Sequence, residues 1–230
     1  MNQNNFTKYM DLLTITKVNE KSNQEEFVFL PKEDDKVVGV YRNKSDMLEF
    51  GDYLPVRKTV YEKLKSVAEN LQCINTNCML RVVYGFRAME VQKKYFSEIY
   101  DKVKNEFHNE IALYEYIHEK VAVPSVAGHP TGGAVDIEII NKTTNESLDF
   151  GSEILDWDSS KCYYVSDSLS KEERANRELL RKVMMQEGFA PYDGEWWHFS
   201  YGDKEWAFYY HKEEALYHQV DARTVYEKKR

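Results

Sequence analysis

From Ser125 to Asp136 the chain reads Ser-Val-Ala-Gly-His-Pro-Thr-Gly-Gly-Ala-Val-Asp, and no other stretch limits the possible folds so narrowly. His129 and Asp136 stand seven positions apart across a Gly-Gly pair. Side chains of a regular strand alternate faces, so residues an odd number of positions apart cannot address one point from an unbroken strand. A turn must separate them. Pro130 fixes φ, while Gly132 and Gly133 admit conformations that a Cβ forbids. The following run, Ala134 to Ile140, is β-rich and puts Asp136 near the start of a strand.

A second stretch, Gly194-Glu-Trp-Trp-His-Phe199, offers another imidazole, His198, with a carboxylate, Glu195, three residues before it. That spacing is odd too, so a bend or bulge is expected there rather than one smooth face. Two imidazoles and a carboxylate form the three-ligand set of a catalytic zinc that keeps its fourth position for water. His129, Asp136 and His198 are therefore candidate ligands of one zinc ion, and Glu195 is a candidate general acid-base. Plainer alternatives stand beside each: the histidines as satisfied core residues, Asp136 as a turn cap, Glu195 as a surface carboxylate near Asp193.

Gly128-His-Pro-Thr-Gly-Gly-Ala-Val-Asp136 followed downstream by Glu195-Trp-Trp-His-Phe199 resembles the zinc D-alanyl-D-alanine dipeptidases, the group that includes the vancomycin-resistance dipeptidases. Val83-Tyr-Gly-Phe-Arg87 is similar to that family's Gly-Tyr-Arg segment. The three pieces keep the family's order over roughly positions 80 to 210. The resemblance implies cleavage of the free dipeptide D-Ala-D-Ala, the fold of the zinc D,D-carboxypeptidases and the Hedgehog signalling domain, and Arg87 as the group that stabilises the oxyanion. Arg87 could instead pair with Glu90. Two departures bear on substrate binding. Phe86 and Ala88 replace the family's Tyr and Pro, and Ala127 stands where the resistance enzymes have a serine, the nearest here being Ser125. Asp156, with Glu153 and Asp158 as rivals, is the candidate for the acidic residue that holds the substrate's ammonium group in the family.

At 230 residues the chain is long enough for one substantial core, and a single domain over 1–230 is expected. It has a variable N-terminal segment, 1–35, and a charged C-terminal one, 212–230. The net charge of −8 comes without a basic stripe, which argues against a nucleic-acid partner. No run of about 18 apolar residues exists to span a membrane. Met1 to Met10 lacks the apolar region of a secretory signal, so a cytoplasmic protein is expected. Cys73, Cys78 and Cys162 fit free thiols.

Strands are expected at 27–30, 36–41, 79–86, 134–140, 195–200 and 206–210, the last two joined by a hairpin at Gly202-Asp203. Helices are expected from Arg57 to Gln72, from Ala88 to Phe107, from Glu110 to Lys120, and after a capping box at Ser170-Lys-Glu-Glu173 as far as Gly188. A surface helix is expected in 212–230. His108, His118, His211 and His218 read as solvated, and the four tryptophans as core or pocket wall. Together these spell an α+β domain whose antiparallel sheet carries the site. Two other functions fit the residues: a related murein peptidase (a D,D-carboxypeptidase or an L-alanyl-D-glutamate endopeptidase) and a non-catalytic zinc-containing binding module.

Overall fold

The structure, a computed structural model, describes residues 12–21, 24–41 and 45–226. The reading of Met1 to Met10 lies outside them. Helix α1 (Leu12–Ile15) and strand β1 (Asn19–Glu20) lead to β2 (Phe27–Phe29) and β3 (Val37–Gly39), which form inside the first two apolar runs. Helix α2 (Ser45–Leu48) and strand β4 (Pro55–Arg57) precede α3 (Lys58–Ile74), where Val60, Leu64, Val67 and Leu71 are buried along one face. Strand β5 (Cys78–Tyr84) is buried at every position but Arg81. Helices α4 (Met89–Val103) and α5 (Glu110–His118) follow, and then β6 (Ala134–Asn141).

Helix α6 (Lys171–Gln186) starts at the expected capping box: the Glu173 N–H donates to Ser170 Oγ at 3.1 Å and the Ser170 N–H to Glu173 Oε2 at 2.6 Å. After it come β7 (Ala190–Pro191), β8 (His198–Ser200), α7 (Lys204–Tyr209), β9 (Glu214–Ala215) and α8 (Ala222–Tyr226).

The central sheet has the order β3-β5-β6-β8-β7. It is mixed rather than purely antiparallel, because β3 runs parallel to β5 while the other pairs are antiparallel. Alternation along β6 divides the molecule. Val135, Ile137 and Ile139 join one apolar cluster with Leu64 and Val67 of α3 and with Leu180 and Val183 of α6. Each such side chain contributes roughly 1.5–3 kcal/mol of burial as an upper bound. Asp136, Glu138 and Ile140 face the other way. There Glu138 pairs with Arg81 at 2.6 Å, and Asp136 faces the site.

Two expectations near the C-terminus are corrected. Residues 206–210 are not a strand, and Gly202-Asp203 is not a hairpin turn. Asp203 Oδ1 accepts the Trp206 N–H at 2.8 Å and caps α7, so the chain turns back as a helix. The last stretch is not one surface helix either. Strand β9 pairs in parallel with β1, Tyr217 is buried, and only α8 is helical; 227–230 lie outside the described residues. No helix among the described residues is long and apolar enough to cross a membrane.

Candidate metal centre

His129 opens a single 3-10 turn, His129–Thr131, which Gly132 ends at φ +77°. The left-handed conformation is one that glycine adopts without steric cost, and it supplies the break that the odd spacing demands. Thr131 ties the turn internally, donating to the Gly128 carbonyl at 2.6 Å and accepting the Gly133 N–H at 2.9 Å. Arg57, at the end of β4, clamps it from outside. Its Nε donates to the Thr131 carbonyl at 2.8 Å, its backbone N–H to the Gly132 carbonyl at 3.0 Å, and its guanidinium stacks 4.3 Å from the Phe27 ring. Behind His129 the backbone is pressed against a carboxylate, since a Cβ on Gly128 would lie 2.1 Å from Asp203 Oδ2.

Asp136 and His198 are direct partners across the β6–β8 ladder, which puts their side chains on one face. Glu195 precedes β8 in a turn whose N–H bonds to the Tyr192 carbonyl at 3.3 Å, so the bend expected before His198 is present. His129 Nδ1 lies 2.8 Å from the Gly85 carbonyl, an acceptor only, so this nitrogen carries the proton. Its Nε2 is left with a lone pair 3.5 Å from Asp136 Oδ1. His198 Nδ1 lies 3.0 Å from the same oxygen. The three ligand atoms all fall within 4.8 Å of one another. Ligands bonded at ~2.0–2.1 Å in a tetrahedral site stand about 3.3 Å apart, so the set fits a small divalent cation.

The electrostatics differ from one ligand to the next. Burial pushes the His129 imidazolium down, and Arg87 adds to this against the pull of Asp136, which favours the neutral ring a metal requires. Burial works upward on Asp136, but the two histidines outweigh it and hold the carboxyl below its usual range. His198 goes the other way: burial lowers it, yet Asp136 and Glu205 together raise it above the usual histidine range. Glu195 is lifted by burial to about 7, with His198 opposing. Trp157 Nε1 donates to Glu195 Oε1 at 2.7 Å and fixes the carboxylate's direction.

Arg87 follows β5 and is 7 % exposed. Its guanidinium does not settle on Glu90: Nη1 donates to Gln92 Oε1 at 2.7 Å, and the group lies 4.5 Å from the Tyr84 ring. Arg87, His129, Asp136, Glu195 and His198 all line one cavity of about 50 Å³, room for only a few waters at roughly 10–15 Å³ each. Ser125 and Asp156 stand apart from this group. Both are exposed, as are Glu153 and Asp158, and neither Ser125 nor Asp156 lines the cavity; Trp157, next to Asp156, is the side chain that turns in.

Several cavity residues escape the sequence reading. His118 is buried rather than solvated and accepts the Val123 N–H on Nδ1 at 3.0 Å. Gln92, fully buried, links Arg87 to the Ala122 carbonyl at 2.7 Å. Glu205, 6 % exposed, stands on α7 against His198. One signal could have found it. Asp203 followed by Lys-Glu is a cap and an acidic first turn, the pattern of a helix start.

Comparison with known proteins agrees in substance. The family model described as D-ala-D-ala dipeptidase matches residues 56–221. A D-alanyl-D-alanine dipeptidase of Synechocystis sp. is 35% identical over 47% of this chain and 52% of its own length. One of Enterococcus faecium is 31% identical over 44% of this chain and 49% of its own. The chain thus spans about half the length of these curated relatives. A solved LD-carboxypeptidase, LdcB, is 18% identical with a TM-score of 0.46, covering 92% of this chain and 85% of that one. The family match alone takes in α3 through β9, every candidate ligand, Glu195 and Arg87, and the chain belongs to the D-Ala-D-Ala dipeptidase family.

Proposed function

We propose that the protein is a zinc metallopeptidase that hydrolyses D-Ala-D-Ala to two D-alanines. The observation that carries this is the convergence of His129, Asp136 and His198 on one small cavity that also holds Glu195 and Arg87. Zinc bound there supplies Lewis acidity toward the scissile carbonyl and lowers the pKa of an attacking water. The remaining work falls to the chain. Glu195, aimed by Trp157, takes the proton from the water as its oxygen bonds to the carbonyl carbon. The same carboxyl then gives that proton to the nitrogen as the C–N bond breaks. Arg87 is held by Gln92 and Tyr84, both uncharged partners, so its fixed positive charge is not neutralised there and faces the developing oxyanion.

A dipeptide is favoured over a murein strand because the relatives that this chain resembles carry the name D-alanyl-D-alanine dipeptidase. A binding module would need the three ligands but neither Glu195 nor Arg87. The test is release of D-alanine from D-Ala-D-Ala by zinc-loaded protein, beside a longer peptide ending in D-Ala-D-Ala and a chelated control. Chelator-sensitive cleavage of the dipeptide alone is expected. Cleavage of only the longer peptide would make the protein a murein carboxypeptidase, and zinc binding without either cleavage would make it a binding module.

A further inference from the structure

His198 is flanked on both ring nitrogens. Asp136 Oδ1 stands 3.0 Å from Nδ1 and Glu205 Oε2 stands 3.3 Å from Nε2. Nε2 is buried and makes no other polar contact, being without a hydrogen-bond partner by strict geometry. Glu205 is itself 6 % exposed, and a carboxylate taken out of water needs a cation or a donor beside it. His198 is the donor in reach.

The two histidines are held differently. His129 is oriented by a neutral backbone carbonyl on Nδ1, so that Nε2 is presented. His198 has a carboxylate on each nitrogen, but Asp136 on Nδ1 is itself a candidate ligand, so Glu205 on Nε2 is the one that leaves Nδ1 to a shared cation. Nothing in the local sequence around His198 dictates that choice; it comes from α7, which Asp203 caps so that its first turn brings Glu205 back over β8.

We propose that Glu205 is the positioning residue of the metal centre: it holds the proton on His198 Nε2 and thereby commits Nδ1 to the metal. A ligating imidazole whose second nitrogen donates to a carboxylate is fixed in tautomer and orientation and becomes a stronger donor. With a cation on Nδ1 the ring has one proton, on Nε2, and the 3.3 Å contact with Glu205 is where that proton is held. Glu205 touches neither substrate nor reacting atoms in this scheme. The proposal rests on the peptidase reading only for the identity of the ion.

Two measurements test it. Nitrogen-15 NMR of zinc-loaded wild-type protein should show His198 protonated on Nε2 and metal-bound through Nδ1, with the reverse for His129; His198 protonated on Nδ1 would overturn the assignment. Zinc affinity, read by competition with a chromophoric chelator, should fall roughly 10–100-fold in Glu205→Ala and clearly less in Glu205→Gln, which keeps an acceptor oxygen. An affinity within twofold of wild type in Glu205→Ala would sink the proposal. If the alanine variant does not fold, the glutamine variant and the wild-type spectrum still decide. A wild type that binds zinc in this way yet leaves D-Ala-D-Ala intact would refute the peptidase reading alone, and full zinc affinity in Glu205→Ala of an active dipeptidase would refute Glu205's role alone.

Discussion

Glu195 and Asp203 are two carboxyls that burial pushes in the same direction, each to about 7, with different consequences. Glu195 is half-buried and opens on the cavity, so its raised pKa suits a group that must take and return a proton near neutral pH. Glu195→Ala should leave zinc content unchanged and reduce turnover by roughly 10²–10⁴-fold; metal analysis and a D-alanine assay on one preparation check both, and loss of metal with retained turnover would overturn the role. Asp203 is fully buried behind Gly128, and there the cost is to stability. Its folded pKa lies above the unfolded value of 3.8, so between about pH 4 and pH 7 the native state keeps a proton that the unfolded chain has lost. Stability from this group is complete below that window and is lost as pH rises through it. Asp203→Asn keeps a capping oxygen for Trp206 without the charge. Its stability relative to wild type in metal-free urea melts should therefore grow from pH 5 to pH 8, by on the order of 1–3 kcal/mol; a pH-independent difference would refute the assignment.

Elements whose signals are local were legible in the sequence. The capping box at Ser170 set the start of α6 to the residue, and Ser170→Ala should cost about 1 kcal/mol in a denaturant melt while leaving the rate of D-alanine release untouched, since α6 packs on the far side of the sheet from Asp136. Helix α3 and strand β6 were readable from an apolar period that matches the element, and β5 as a short apolar run buried on both faces. The parity of His129, Asp136, Glu195 and His198 also foretold where the backbone must bend. What stayed hidden depended on tertiary contact. Trp206 to Tyr210 has aromatic β-formers, yet Asp203 starts a helix there. Glu205 could not be ranked as part of the site until α7 laid it on His198. The role of Arg57 was equally invisible, because an arginine at a helix start carries no sign of a partner, and only the fold shows it clamping Thr131 and Gly132. The parallel β3–β5 pair was missed because a three-residue strand carries no sign of its direction.

Across the whole molecule the site is assembled from segments that begin at β4 and end at α7, so metal and fold should be thermodynamically linked. Zinc at 100 times its Kd adds about 2.7 kcal/mol to the native state, and chelation should lower the melting temperature by roughly 5–10 °C for a chain of this size; an unchanged melt would mean that the ligands do not act together. The cross-strand pair of Asp136 with His198, 62 residues apart in sequence, adds a consequence in time. Helices such as α6 form from neighbours, but this pair requires a long segment to close and the β6–β8 register to be right, since a slip of one residue would turn His198 to the opposite face. During refolding from denaturant, uptake of zinc from a fluorescent indicator should therefore lag the far-UV signal of the helices, which makes the ion a stopwatch for the closing of the sheet.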